Sequence, residues 1–227
     1  MIVFLRKKIA WFALLGILGT GLAGCTTTTQ GEGGNLTYAR GPSTLITTKP
    51  LEERYEQSAD EQFKIPAVHV KIPDEFQRQV VSYPSREAPG TIIVEPRNHY
   101  LYLITGHGKA IRYGVGVGAA GLEFQGVANL QFKRKWPKWT PTQDMIKRNP
   151  AQYKRFADGV PGGPNNPLGA RALYLFQNNI DTYYRIHGTN QPSSIGKSVS
   201  AGCIRMLNAD VVDLYERVKP GGKVIVR

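Results

Sequence analysis

From Thr91 onward the chain is cut by glycine, proline and asparagine into short runs rich in β-branched and aromatic residues, and this punctuation limits what it can fold into. Residues 91–95, 100–105, 111–117, 127–132, 172–176, 183–187 and 223–226 each read as a strand bounded by turn residues. The reading is a mostly β domain. Two helices are expected beside it. One is basic, over 143–156, and is broken or bent at Pro150. The other runs from Asn208, read as its N-cap, to 218, with Val211, Val212, Tyr215 and Val218 on the face that docks on the sheet.

The 227 residues suffice for one sizeable domain with appendages, and 41% hydrophobic residues against 20% charged exclude a chain disordered throughout. Arg6, Lys7 and Lys8 precede an apolar run over 9–22 and then Leu22-Ala23-Gly24-Cys25, the three-part layout of an export signal. That run falls short of the ~20 residues a membrane-spanning helix needs. Its Leu-Ala-Gly-Cys end resembles a bacterial lipobox, which implies removal of 1–24, lipidation at Cys25 and attachment to a membrane of the cell envelope. No Asp follows Cys25, which favours the outer membrane slightly over the inner. Losing residues 1–24 removes three positive charges and no negative one, so the formal charge falls from +12 to +9 and the basic character stays with the rest of the chain. Such a charge suits anionic surroundings without choosing among them.

Residues 25–59 show neither helical nor strand periodicity and read as a flexible tether, with room for a short helix over 51–57. Residues 60–89 carry Pro66, Pro73, Pro84 and Pro89 and read as an N-terminal extension packed on a domain that fills 90–227. Gly116-Val-Gly118-Ala-Ala-Gly121 matches a dinucleotide-binding pattern, but strand-like residues follow where a helix is required, so it reads as a Gly-rich hairpin. His69, His99, His107 and His187 form no metal-ligand spacing, with each other or with Cys203. No metal, no cofactor and no nucleic-acid partner is expected.

With Cys25 assigned to lipid, Cys203 is left unpaired, either buried and inert or kept for its reactivity. Its neighbours bear on the choice. Arg185-Ile-His187-Gly188-Thr189-Asn190 precedes Ser198-Val-Ser200-Ala-Gly202-Cys203-Ile-Arg205-Met206. A thiol needs a base to act as a nucleophile near neutral pH, and His187 at a strand end can supply it. Gly188 permits close approach to that histidine, and the Gly202 and Cys203 amides can serve a developing oxyanion. Arg205, two residues past Cys203, shares its face of an extended strand and can hold a carboxylate.

His187 comes only 16 residues before Cys203, the reverse of the papain order and a tighter spacing than in sortases. The run His-Gly-Thr-Asn, then Ser-x-Gly-Cys-Ile-Arg-Met-x-Asn-x-Asp, resembles the L,D-transpeptidases of the YkuD family, the ErfK, YbiS and YcfS type. The likeness extends to Trp136-Pro-Lys-Trp139-Thr-Pro141, to Pro161-Gly-Gly163-Pro-Asn-Asn-Pro167-Leu-Gly169, and to the closing helix and strand. It implies a β-sandwich-like fold and a peptidoglycan stem peptide as substrate. Cys203 attacks the carbonyl before the terminal D-alanine, and an amine resolves the thioester in a cross-linking or protein-attachment reaction. The acceptor is a second stem or an envelope lipoprotein, among others. The resemblance also implies that His187 is oriented by a backbone carbonyl, that of Gly188, and that the catalytic set is Cys203, His187, Gly188 and Gly202. Ser200, Arg205 and Asn190 are implied to contact substrate, and 159–169 to border the cleft. The alternative is an envelope lipoprotein that binds peptidoglycan without turning it over.

Overall fold

A computed structural model describes residues 36–38, 45–47, 61–119 and 124–227; the expected signal, Cys25, the helix over 51–57 and the remainder of 25–59 lie outside the described residues. Within 25–59, β1 (Leu36–Tyr38) and β2 (Leu45–Thr47) pair antiparallel. No helix among the described residues is long and apolar enough to cross a membrane.

The domain is mainly β. In chain order come β3 (Gln79–Ser82), β4 (Ile92–Glu95), β5 (Tyr100–Gly106), β6 (Lys109–Gly114), β7 (Val117–Gly118) and β8 (Gly126–Lys135). After two short helices follow β9 (Arg171–Gln177), β10 (Ile180–His187), β11 (Ser198–Ser200) and β12 (Ile204–Arg205), then α3 (Asn208–Arg217) and β13 (Lys223–Val226). Nine strands form one sheet in the order β12-β10-β9-β8-β13-β4-β5-β6-β3, and β11 pairs with β7. Antiparallel neighbours predominate; β13 on β4 and β12 on β10 are parallel. β12, at one edge of the sheet, also meets the chain just past β6, where the Gly116 N–H donates to the Arg205 carbonyl (2.9 Å) and the Arg205 N–H donates to that of Gly116 (2.7 Å).

Period-two alternation explains how both faces of the central strands are filled. Ile92 and Val94 of β4 join Leu101, Leu103, Leu130, Leu173, Leu175, Ile186, Val224 and Val226 in the main core, while Ile93 turns to the other face with Tyr102, Ile104, Ala110 and Val81. α3 closes the main core with Val211, Leu214 and Val218. Leu214, which the predicted docking face left out, is fully buried, whereas Val212 and Tyr215 pack partly buried at its flanks.

Three local expectations need correction. The strand over 111–117 breaks after Gly114, where the chain leaves β6 to meet β12 and then β11. The Gly-rich run is therefore no simple hairpin: Val117 and Gly118 pair parallel with Ser198 and Ser200 of β11, and residues 120–123 lie outside the described set. Asn208 is not the N-cap of α3. Leu207 holds that position, and the buried Asn208 side chain serves the candidate site instead.

The basic segment near 150 divides as expected at Pro150, into α1 (Gln143–Arg148) and α2 (Pro150–Tyr153). Thr142 caps the first by accepting from the Met145 N–H (3.2 Å), and Asn149 caps the second by accepting from that of Gln152 (3.2 Å). In the extension, β3 adds an edge strand to the sheet beside β6. Glu61 makes a buried ion pair with Arg171 (2.5 Å) and accepts from the Trp136 indole N–H.

Candidate active site

The two arms of the sequence constellation meet at one end of the sheet. β12 lies parallel to β10, with Ile186 opposite Ile204 and His187 opposite Arg205. Ile186 and Ile204 enter the main core. Alternation therefore turns Arg185 and His187 of β10 and Arg205 of β12 to the opposite face, with Cys203 in the bend just before β12.

His187 is 4% exposed. Its Nδ1 lies 2.5 Å from the Gly188 carbonyl. A carbonyl only accepts, so Nδ1 carries the proton and Nε2 keeps its lone pair. Burial, offset in part by the Gly188 carbonyl and reinforced by the Arg205 and Arg185 charges, lowers the imidazole pKa to about 4. The ring is therefore neutral at physiological pH.

The support behind it is built from buried polar groups. The Gly188 N–H donates to the Arg171 carbonyl (3.0 Å). The Asn208 amide donates to the Thr189 carbonyl (3.0 Å), and its oxygen accepts from the Ala170 N–H (3.0 Å), which clamps the His-Gly-Thr turn against the Gly169–Ala170 turn. A Cβ at Gly188 would lie 2.2 Å from Asn208 Oδ1, so the clamp itself requires glycine there. Asn190 is exposed, and its amide donates to the Asn165 carbonyl (2.9 Å), tying this turn to the Gly/Pro/Asn loop.

Cys203 follows a glycine at φ +129°, a conformation that side chains other than glycine's rarely adopt. Ser200 is buried; its hydroxyl donates to the Cys203 carbonyl (2.5 Å) and accepts from the Gly202 N–H (3.2 Å). Two groups expected to serve a ligand thus have partners within the turn. The Gly202 amide is already engaged, and the Ser200 hydroxyl is spent inside the turn instead of facing a ligand. Among the described residues no hydrogen bond comes from the Cys203 N–H.

The Cys203 sulfur is crowded by protein although the residue keeps part of its surface open. Its Sγ lies 3.8 Å from the Tyr183 carbonyl. Burial raises the thiol pKa, against the pull of the Arg185 amide and of the Arg185 and Arg205 charges. No hydrogen bond joins Cys203 to His187 among the described residues, so both rest neutral. Arg205 is half-buried and holds the exposed Gln191 side chain (3.3 Å).

Sequence reasoning did not single out Arg185 as a site residue. The available signal was its place two residues before His187 on a strand. Its guanidinium sits 4.4 Å from the Tyr174 ring centre and binds Asp181 through both nitrogens (2.7 and 2.8 Å). No cluster of His, Cys, Asp and Glu among the described residues is arranged to hold a metal ion.

Residues 89–226 match the YkuD L,D-transpeptidase catalytic domain. The chain belongs to that family. It is similar to the probable L,D-transpeptidase ErfK/SrfK of Salmonella typhimurium, 32% identical over 78% of this chain and 59% of that protein. It is also similar to the probable L,D-transpeptidase YbiS of Escherichia coli, 33% identical over 64% of this chain and 47% of that protein. The chain thus spans about half the length of the curated relatives it matches. A crystal structure from Brucella melitensis, described as a probable carnitine operon oxidoreductase, is 54% identical over 69% of this chain and 96% of its own, with a TM-score of 0.48. The family assignment rests on the match over 89–226 and not on that description.

Proposed function

We propose that this YkuD-family domain is a peptidoglycan L,D-transpeptidase with Cys203 as its nucleophile. The observation that supports this reading is the β10–β12 register, which sets His187 opposite Arg205, two residues past Cys203, while Ile186 and Ile204 anchor both strands in the core. Thiol and imidazole both start neutral, and Nδ1 holds the ring proton, so Nε2 is the nitrogen that accepts. As sulfur attacks the carbonyl before the terminal D-alanine of a tetrapeptide stem, His187 takes the thiol proton and an S–C bond forms. The Cys203 N–H donates to the oxyanion. His187 then passes its proton to the departing nitrogen, and D-alanine leaves as the C–N bond breaks. An incoming amine reverses the sequence, breaking the thioester and returning the proton to sulfur.

Arg205, whose pKa is lowered by burial, offers a fixed charge for a stem carboxylate. Gly188 orients the base, Ser200 and Gly202 shape the turn that carries the sulfur, and Asn190 holds the loop at its rim. In this reading residues 1–24 are a signal, Cys25 carries the lipid, 25–59 are a tether within the cell envelope, and 60–89 pack on the catalytic domain over 90–227.

Incubating the chain with purified tetrapeptide muropeptides tests the proposal by mass. Release of D-alanine and formation of a cross-linked or exchanged product by the wild type, with neither from Cys203→Ala, is the expected result. Folded wild type that binds the muropeptides but releases no D-alanine would replace it with the silent binding module.

A further inference from the structure

One backbone distortion lies directly under the sulfur. Between Asp181 and Arg185 the pairing of β10 with β9 shifts register. Inside that bulge Tyr183 has φ +60°, in the left-handed region that a bulky side chain ordinarily avoids. Tyr183 is 69% exposed, so packing does not hold it there. Hydrogen bonds do. The Tyr183 N–H donates to Asp181 Oδ1 (2.8 Å), and the Arg185 guanidinium grips both oxygens of the same carboxylate. Thr182 braces the bulge by donating to the Leu175 carbonyl (2.6 Å) and accepting from the Tyr184 N–H (3.2 Å). The product of this turn is a carbonyl, that of Tyr183, aimed at Cys203 Sγ.

A carbonyl oxygen accepts from a thiol and repels a thiolate, so this contact holds the sulfur in its protonated form against the β10 backbone. Backbone strain of this kind persists only where the surroundings over-determine it, and it concentrates at working sites. Resting on the transpeptidase reading above, we infer that Asp181 is a positioning residue for the nucleophile: by fixing the left-handed turn at Tyr183 and the Arg185 guanidinium, it sets where Cys203 Sγ waits before attack. The charged groups that act on the sulfur are Asp181 and Arg185 from β10 and Arg205 from β12.

The test uses the full chain carrying Cys25→Ser, which leaves Cys203 as its one thiol. Two readouts are taken: the pH midpoint of iodoacetamide alkylation, and kcat and KM for D-alanine release. Asp181→Ala frees Tyr183 to relax, and kcat is expected to fall on the order of tenfold with KM little changed. The alkylation midpoint is expected to move down, because the acceptor carbonyl withdraws and Arg185 loses its counter-charge.

The decisive variant is Asp181→Ala with Tyr183→Gly. Glycine adopts the left-handed turn without strain, so this pair is expected to recover kcat to within about threefold of wild type. A role limited to the Arg185 ion pair would gain nothing from glycine at 183, and absence of recovery overturns the proposal, as does an unchanged midpoint in a folded Asp181→Ala. If Asp181→Ala does not fold, Tyr183→Ile poses the same question at an exposed site: a β-branched side chain resists the turn, and wild-type kcat there overturns the proposal. Alkylation does not depend on the substrate, so wild type that releases no D-alanine counts against the transpeptidase reading while the midpoints still judge Asp181.

Discussion

Burying a neutral histidine makes a measurable demand on stability. In the unfolded chain His187 titrates near 6.5, and in the fold near 4. The folded pKa is the lower one, so the unfolded state binds the extra proton as pH falls. The stability tied to His187 is thus full above about pH 6.5 and lost progressively toward pH 4. At about 1.36 kcal/mol per pH unit, the loss is about 2 kcal/mol at pH 5 and about 3 kcal/mol at pH 4. Urea unfolding of the wild type and of His187→Asn across pH 4–7 isolates the effect, since asparagine keeps an N–H for the Gly188 carbonyl and does not titrate. Glu61, Asp181 and Asp213 also have lowered pKa values, but they titrate alike in both proteins and cancel in the difference. The difference in unfolding free energy between the two should shrink by about 3 kcal/mol from pH 7 to pH 4. A difference flat within about 0.5 kcal/mol, or an imidazole that titrates near 6.5 by NMR in the folded protein, would refute the argument that this ring is buried and neutral.

Glu61→Ala leaves Arg171 and the Trp136 indole without their carboxylate, and breaking a buried pair this way should cost about 3–5 kcal/mol in urea unfolding. Gly188→Ala should fold less stably and lose most of its D-alanine release, because the new methyl displaces Asn208 and with it the turn that holds His187; a variant with wild-type kcat would show that the clamp does not serve the base. A carbapenem, as a strained acyl donor, should add once to the wild type by intact-protein mass and not at all to Cys203→Ser, since a hydroxyl is far harder to deprotonate than a thiol; a wild type that stays unmodified would count against a reactive Cys203.

The sequence by itself determined the strands and their faces. Alternation over 172–176, 183–187 and 223–226 is a local property, written in which side chains can be buried, and those runs fall in β9, β10 and β13. It also located the break at Pro150, because a proline lacks the N–H a helix needs. What the tertiary structure alone decided involves partners far apart in the chain. The Gly-rich run read as a hairpin pairs instead with β11, and the Asn208 read as a helix cap clamps two turns some 19 and 38 residues away. An asparagine at a helix start carries the same local signal in either role, and only the approach of Thr189 and Ala170 selects one. The Gly202 amide looked open in sequence because nothing there shows that the Ser200 hydroxyl turns back upon it. The same limit hid the Asp181 bulge: a left-handed tyrosine is contrary to local preference, so it arises only where a folded neighbourhood compels it.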